Sequence, residues 1–481
     1  MNGPVPDPRT AARRFVTLTF LFWLPVGLSV PVLVLLPTER GMSLAAVAGL
    51  FAVHALTVAA LELPTGGLAD VLGRRSVLAA AGVCHLTALV LLGLATTVGT
   101  FTLAMVLLGS GRALSSGPAE AWYVDTVQAH SGPGAPLRTG LARAGTATAA
   151  ALALGTLAGG GLPWLLSHWP DAGVWLRAAG SGTVLPLSVP LLLGAVVELF
   201  FVGYVMTSLP EPPRTRTTLR EVLRTVPVTV LGGLGLGVRD ALVRRTLLTS
   251  GTLGAALATT ELLTPGRAAD LTGARESGAV VFASLACTGY LCTALGSHGG
   301  PWLARLTGSA ERAVPVSLGV ATAGLLTLGL TVPGTGTGAL VLAGLGYALL
   351  HLGIGSAGPN GNELLHHRVD GSRRATALSV QSLALQAAGA LTGLAAGALP
   401  PGPLPWLLGG TVLLLGTLLW IRRGEQTPSS QVVTVSQAHP RDRCTTSVPV
   451  TQASGAGPGM GTALQPSRPG PSRQADGTPS P

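Results

Sequence analysis

GGLADVLGRRSVL, residues Gly66 to Leu78, is a short charged turn between two apolar runs, each long enough to cross a bilayer. Its residues have separable uses. Gly66, Gly67 and Gly73 permit tight turning and close helix approach, and Asp70 stands one helical turn before Arg74, where the two can pair. Arg74 and Arg75 hold two positive charges on one side of the membrane.

Outward from this turn, apolar stretches recur from Phe15 to Trp420. They predict spans near 15–37, 44–66, 76–98, 101–127, 139–166 and 182–206, then 245–264, 278–302, 313–332, 338–359, 375–398 and 403–421. The expectation is an all-α polytopic membrane protein with twelve transmembrane helices in two six-helix bundles. Composition agrees: 48% of the 481 residues are hydrophobic and 10% charged, where a soluble domain carries about 25% charged residues. The Leu/Ala/Gly runs lack the alternation of a membrane barrel, so helices remain as the way to satisfy the backbone in lipid.

The net charge of +10 comes from arginines scattered between apolar runs, which fits membrane loops and not a nucleic-acid face. With the N-terminus inside, the inner segments hold Arg13, Arg14, Arg74, Arg75, Arg138, Arg143, the series from Arg214 to Arg245, Arg305, Arg312, Arg368, Arg373, Arg374, Arg422 and Arg423. The outer loops hold only Arg40, Arg177, Arg267 and Arg275. This asymmetry places both termini of a multi-pass cell-membrane protein in the cytoplasm. Cys84, Cys287, Cys292 and Cys444 show no disulfide or zinc spacing, and no metal or cofactor is expected.

Four regions follow: a six-helix bundle over 14–206, a cytoplasmic linker over 207–244, a second bundle over 245–423 and a Ser/Thr/Pro/Gly-rich cytoplasmic tail over 424–481, too poor in large apolar residues to fold. The linker opens with SLPEPPRTRTTLREVLRTV and continues amphipathic enough to lie on the membrane surface. The halves echo each other: LADVLG, Leu68 to Gly73, follows the second span and LARLTG, Leu303 to Gly308, follows the eighth, with Arg305 in place of Asp70.

The loop GGLADVLGRR resembles the signature between helices two and three of the major facilitator superfamily, of the form GxLaDxxGRR. The resemblance covers about Arg14 to Arg423. It implies two bundles that alternate access to a midplane cavity, and a charge relay: Asp70 would cap helix eleven of the other half, and Arg74 would pair with Asp125 at the end of helix four. The bland alternative is a turn whose arginines only anchor topology. HHRVDGSRRATALSVQSLALQ, His366 to Gln386, is similar to the helix-eleven start of drug/proton-antiporter-like members. GTLAGGGLP, Gly155 to Pro163, occupies the place of the antiporter helix-five motif without its Gly-Pro pair, so simple helix packing is an equal reading.

The fourth span, MVLLGSGRALSSGPAEAWYVDTV, carries Arg112, Glu120 and Asp125. A charge at mid-depth costs about 2.5–3.5 kcal/mol on insertion scales, so Arg112 needs a partner or a wet cavity. The family has an arginine in this helix that serves proton transfer, though the spacing from Arg112 to Gly117 departs from its pattern; a structural ion pair with Glu62 or Glu120 is the alternative. Glu62, before an expected turn at Pro64, and Glu120 are the first candidates for a proton carrier, with Arg112 beside them. Glu198, Glu261, His54, His85 and His351 are further intramembrane groups, with Glu261 expected near the outer interface.

No phosphate loop, HExxH or hydrolase triad is present, so an enzyme is not expected. The function expected is secondary active transport of a small organic molecule, drug-like and lipophilic, as proton-coupled efflux across the bilayer. An uptake symporter or facilitator of the same fold is the alternative within the class; a receptor or scaffold signalling through the tail is the alternative outside it.

Overall fold

The computed structural model describes residues 6–421 apart from 133, 170, 181, 211–234, 236 and 370, and apart from the side chains at 63, 64, 66, 67, 70, 177, 179, 371–375 and 421. The tail over 424–481 and most of the expected linker lie outside the described residues.

Among the described residues every regular element is a helix. The N-terminal half holds α1 (Pro8–Ser29), α2 (Leu35–Glu39), α3 (Leu44–Leu72), α4 (Arg74–Leu94), α5 (Val98–Ser115), α6 (Pro118–Ser131), α7 (Arg138–His168), α8 (Ala172–Ala179) and α9 (Val189–Ser208). The C-terminal half holds α10 (Ala241–Thr272), α11 (Arg275–Thr307), α12 (Ala310–Leu330), α13 (Gly336–Arg368), α14 (Gly371–Ala398) and α15 (Leu404–Ile421). Among the described residues ten segments are long and apolar enough to cross a membrane, α5 and α6 counting as one. The 32-residue α10 and the strongly apolar α15 complete two groups of six crossings.

Starts are set by side-chain caps. Ser43 accepts from the Ala46 N–H, Asp240 from the Leu242 and Val243 N–H groups, and Ser309 from the Arg312 N–H, each satisfying donors that the first helical turn leaves orphaned. Lipid tails are as apolar as leucine, so association between spans rests on close approach of small residues. A Cβ at Gly159 of α7 would lie 2.3 Å from the Leu28 carbonyl oxygen of α1. Gly155 and Gly159 thus let α7 approach α1 closely and Gly160 faces Ala279 of α11, while Gly161 faces open space, and α7 continues through Pro163.

Several expected boundaries differ, three of them in the first half. The first span ends at Ser29, and α2 is a separate short helix. The second runs through Pro64 to Leu72, so no turn follows Glu62. The fourth, expected as one helix, breaks at Gly117, whose φ of 93° continues no right-handed helix; Pro118 then opens α6 at a position where its missing N–H does no harm.

The halves meet mainly along α3 with α14 and α7 with α11. On the face opposite the termini, shared cores join them: Val34, Val47 and Ala48 pack with Leu262, Ala396 and Trp406, and Leu35, Leu36 and Phe101 with Ala279. On the terminus face each described core stays within its own half. Phe15, Leu78, Trp122 and Phe201 cluster in the first, and Val243, Leu365, Val369 and Ala377 in the second. Among the described residues, apolar cores span both halves on the face opposite the termini, and on the terminus face each core lies within one half.

Candidate transport site

Between the halves lies a cavity of about 280 Å³, adjoined by a second of about 250 Å³ that shares His54, Glu261 and Gln386 with it. The first half contributes Trp23, His54, His85 and Arg112, and the second Glu261, Tyr290, Tyr347, His351 and Gln386, among mostly apolar neighbours. Few convergent polar groups in an apolar wall are the usual composition of a small-molecule site, and ionisable groups at this depth serve a pathway or a partner.

Arg112 sits in the last turn of α5, just before the break at Gly117, with its guanidinium 5.4 Å from the centre of the Trp23 ring. This cation–π contact leaves the guanidinium's hydrogen-bond donors open. Among the described residues no ion pair within 4.0 Å joins it to Glu62 or Glu120, although the Glu62 carboxylate acts on it electrostatically at longer range.

Glu62 of α3 accepts a 2.7 Å hydrogen bond from the Ser382 hydroxyl of α14, a polar tie from one half to the other. Glu120, expected to be buried, is exposed, because the break at Gly117 makes it a first-turn residue of a new helix. Glu261 also departs from expectation. It was expected at an outer interface, but α10 runs on to Thr272, and the carboxyl lines both cavities between the halves. The signal for this was the density of Thr, Arg and Glu along 241–272, which blurred where the seventh span ends.

The signature turn ties the first half together on the terminus face. Arg74 pairs with Asp125 of α6, with 16% and 44% of the two side chains exposed. The carbonyl oxygens at the C-terminal end of α9 and just beyond accept from three side chains: Met206 from Arg75, Ser208 from Arg14 at 2.7 Å, and Pro210 from the Trp122 indole at 3.0 Å. Cations suit a helix C-terminus, where unsatisfied carbonyls concentrate negative potential. Gly73 caps α3 with a φ of 92° and a ψ of 144°, and Gly308 ends α11 with a φ of 83° and a ψ of −6°, so the echo between LADVLG and LARLTG reaches the positive φ and not the full backbone conformation. The expected cap of Asp70 on the eleventh span, and Gly67, fall on side chains outside the described residues.

One buried pair was not foreseen. His85 Nδ1 of α4 lies 3.1 Å from Glu198 Oε1 of α9, with 2% and 0% of the side chains exposed. Each residue was visible as an intramembrane group, but nothing in one dimension says that the third and sixth spans are neighbours. Among the described residues no cluster of His, Cys, Asp and Glu is arranged to hold a metal ion.

Residues 15–393 match the family model of the Major Facilitator Superfamily. Among solved structures the chain is similar to a variant of the nucleoside transporter NupG, with 13% identity, coverage of 85% of this chain and 99% of that one, and a TM-score of 0.67. It is also similar to a D-xylose–proton symporter, with 16% identity, 86% and 97% coverage and a TM-score of 0.63. A third is a bacterial homologue of the iron transporter ferroportin in an inward-facing state, with 14% identity, 85% and 98% coverage and a TM-score of 0.62. At such identities these likenesses establish the fold alone. No curated protein matches the sequence.

Proposed function

The chain belongs to the major facilitator superfamily, and from that premise we propose that it exports a small lipophilic organic molecule in exchange for protons, by alternating access. The observation that carries this reading is the cavity between the halves, with Arg112 supplied by one and Glu261 by the other. A site split between two rocking bodies is remade each time they move, which is how a substrate is released.

The excess of arginine on the terminus side assigns that face to the cytoplasm. The apolar cores shared by the halves on the outer side, and the separate cores among the described residues on the inner side, support the reading of a cavity open inward, ready to load a molecule for export. Glu62, tied to Ser382 across the halves, is the first choice for a coupling carboxylate, Arg112 its cationic neighbour and the exposed Glu120 the weaker choice. The relay of Asp70, Arg74, Arg75 and Asp125, with Gly67 and Gly73 shaping its turn, serves closure of the inner side. Asp70→Asn is expected to abolish turnover while leaving membrane insertion intact; undiminished transport by that variant would remove the relay from the mechanism.

The test is proton flux in proteoliposomes with a pH dye inside, while lipophilic cations, antibiotics and sugars are added in turn. Proton movement triggered by one compound and lost in Glu62→Gln supports coupled transport, and its direction relative to the compound separates export from uptake symport. Flux of the compound with no proton movement in any gradient overturns coupling. Binding with no flux of any compound points to the receptor reading.

A further inference from the structure

We propose that His85 and Glu198 form a single-proton binding site beside the transport cavity, distinct from Glu62 and Glu120. The pair is sealed. Glu198 is 0% and His85 2% exposed, and they meet through Nδ1 and Oε1 at 3.1 Å. The ring of Phe22 from α1 stacks on His85 at 5.0 Å, and Phe201 of α9 leans on Phe22 at 5.5 Å. A Cβ at Gly111 of α5 would lie 2.3 Å from His85 Cδ2, so the imidazole occupies space that any other residue at 111 would take.

This geometry fixes the proton count. A carboxylate removed from water without a counter-charge is too costly to persist. Two arrangements avoid that cost: imidazolium donating to carboxylate, or carboxylic acid donating to a neutral ring. Both hold one dissociable proton on the pair, and both are electrically neutral. Loss of that proton leaves a bare Glu198 carboxylate and gain of a second leaves a bare imidazolium, and the first of these charged states is stabilised by a nearby cation. Neither His85 Nε2 nor Glu198 Oε2 has a hydrogen-bonding partner, so each is a free position from which a proton can be passed on.

The cavity is next door. His85 lines it, and Arg112 follows Gly111, whose backbone touches the imidazole. Among the described residues the charged or titratable groups around the pair are Arg112 on α5, His54 on α3 and Cys84 on α4 itself. The facing part of α1 offers Phe22 and Trp23, and Glu261, Tyr290, Tyr347 and His351 stand on the second half's side of the cavity. Arg112 is the cation that shares this cavity wall with His85, and positive charge there favours the deprotonated pair. A cationic solute in the cavity would act in the same direction and compete with the proton, whereas an anion drawn to Arg112 would favour proton uptake. By linkage, the proton changes solute affinity by the same factor.

The use of this site in transport rests on the proposed exchange reading; its existence does not. The experiment is infrared absorption of the full chain in lipid vesicles, with pH stepped from about 5 to about 9 and no substrate or gradient present. The expected result is a protonated-carboxyl C=O band that falls as pH rises and is missing in Glu198→Gln. In His85→Ala the same band should persist about one pH unit or more higher, because the carboxylate has lost its partner. Glu198→Asp, which moves the band instead of removing it, assigns the signal if the glutamine variant does not fold. A titrating band unchanged in all three variants overturns the proposal. So does a Glu198 band constant at every pH, which would make the pair a fixed hydrogen bond. A titrating Glu198 in a protein whose substrate flux moves no protons would sink the exchange reading and leave the site standing.

Discussion

The fourth and tenth spans carry the same short run, Ser-x-Gly-Pro, at residues 115–118 and 356–359, at equivalent places in the two halves. The fourth breaks there into α5 and α6, with Gly117 at a φ of 93°. The tenth does not: α13 runs through Pro359 for 33 residues. A proline inside a helix removes the hydrogen bond to the carbonyl four residues back, here Gly355, and the fold replaces it. Ser297 of α11 donates its hydroxyl to the Gly355 oxygen at 3.1 Å, and the Asn360 amide donates to Ser356 at 2.9 Å and to Gly300 at 3.2 Å. Whether a proline kinks a span thus depends on side chains delivered by its neighbours. In the first half the outcome is a joint. Arg112 stands one turn before it in the cavity wall, and Asp125 beyond it is held by Arg74. The second half keeps one continuous helix along the same cavity.

The largest effect is expected from making the first half copy the second at its charge. Gly353 holds the place in α13 that Arg112 holds in α5, five residues before the Gly-Pro pair. Arg112→Gly should reduce transport on the order of 10- to 100-fold, the worth of one charge-assisted hydrogen bond of about 1.5–3 kcal/mol. Substrate flux in proteoliposomes at matched protein density reads it. Unchanged flux would mean that Arg112 serves only to sit on Trp23, and that the asymmetry of the two spans has no bearing on the substrate.

Next in size is the tenth span's own repair. Asn360 is 1% exposed, and Asn360→Leu would leave the Ser356 and Gly300 oxygens without its amide. The expected loss is about 2 kcal/mol, within the cost of orphaning buried polar groups. It should emerge as a lower thermal midpoint and as faster amide exchange confined to the residues around Pro359. Wild-type stability in this variant would show that the continuous helix needs no repair, and would undo the explanation offered for the difference between the spans.

How far the sequence carried the reading follows from the same two segments. The spans, their pairing into halves and the charged loop were legible, because apolar length and arginine placement act locally. The break at Gly117 was not, since a Gly-Pro pair reads alike in both halves and only the neighbouring helix decides it. Glu261 was misplaced because the polar residues of α10 hid its true end. His85 and Glu198 were visible singly and not as a couple, since their contact depends on α4 lying against α9. Glu120 failed as a buried acid for the same reason as the span that holds it: a residue's depth is set by whether the helix continues. The cavity itself is a property of two halves that one dimension does not align.

The smallest effect is the sharpest test of the comparison, because it uses one substitution at two matching sites. Gly117 and Gly358 both have open space where a Cβ would go, so neither is barred by crowding. They differ in backbone. Gly117 has positive φ, where an L side chain costs about 1–2 kcal/mol, while Gly358 is a helical residue of α13, where alanine is favoured over glycine by about 0.5–1 kcal/mol. Gly117→Ala should therefore lower the thermal midpoint and Gly358→Ala leave it level or raise it. Two results of the same sign would show that the joint in the fourth span is not fixed in this form. In that case α5 and α6 would interconvert with a continuous helix, and Arg112 would move with them.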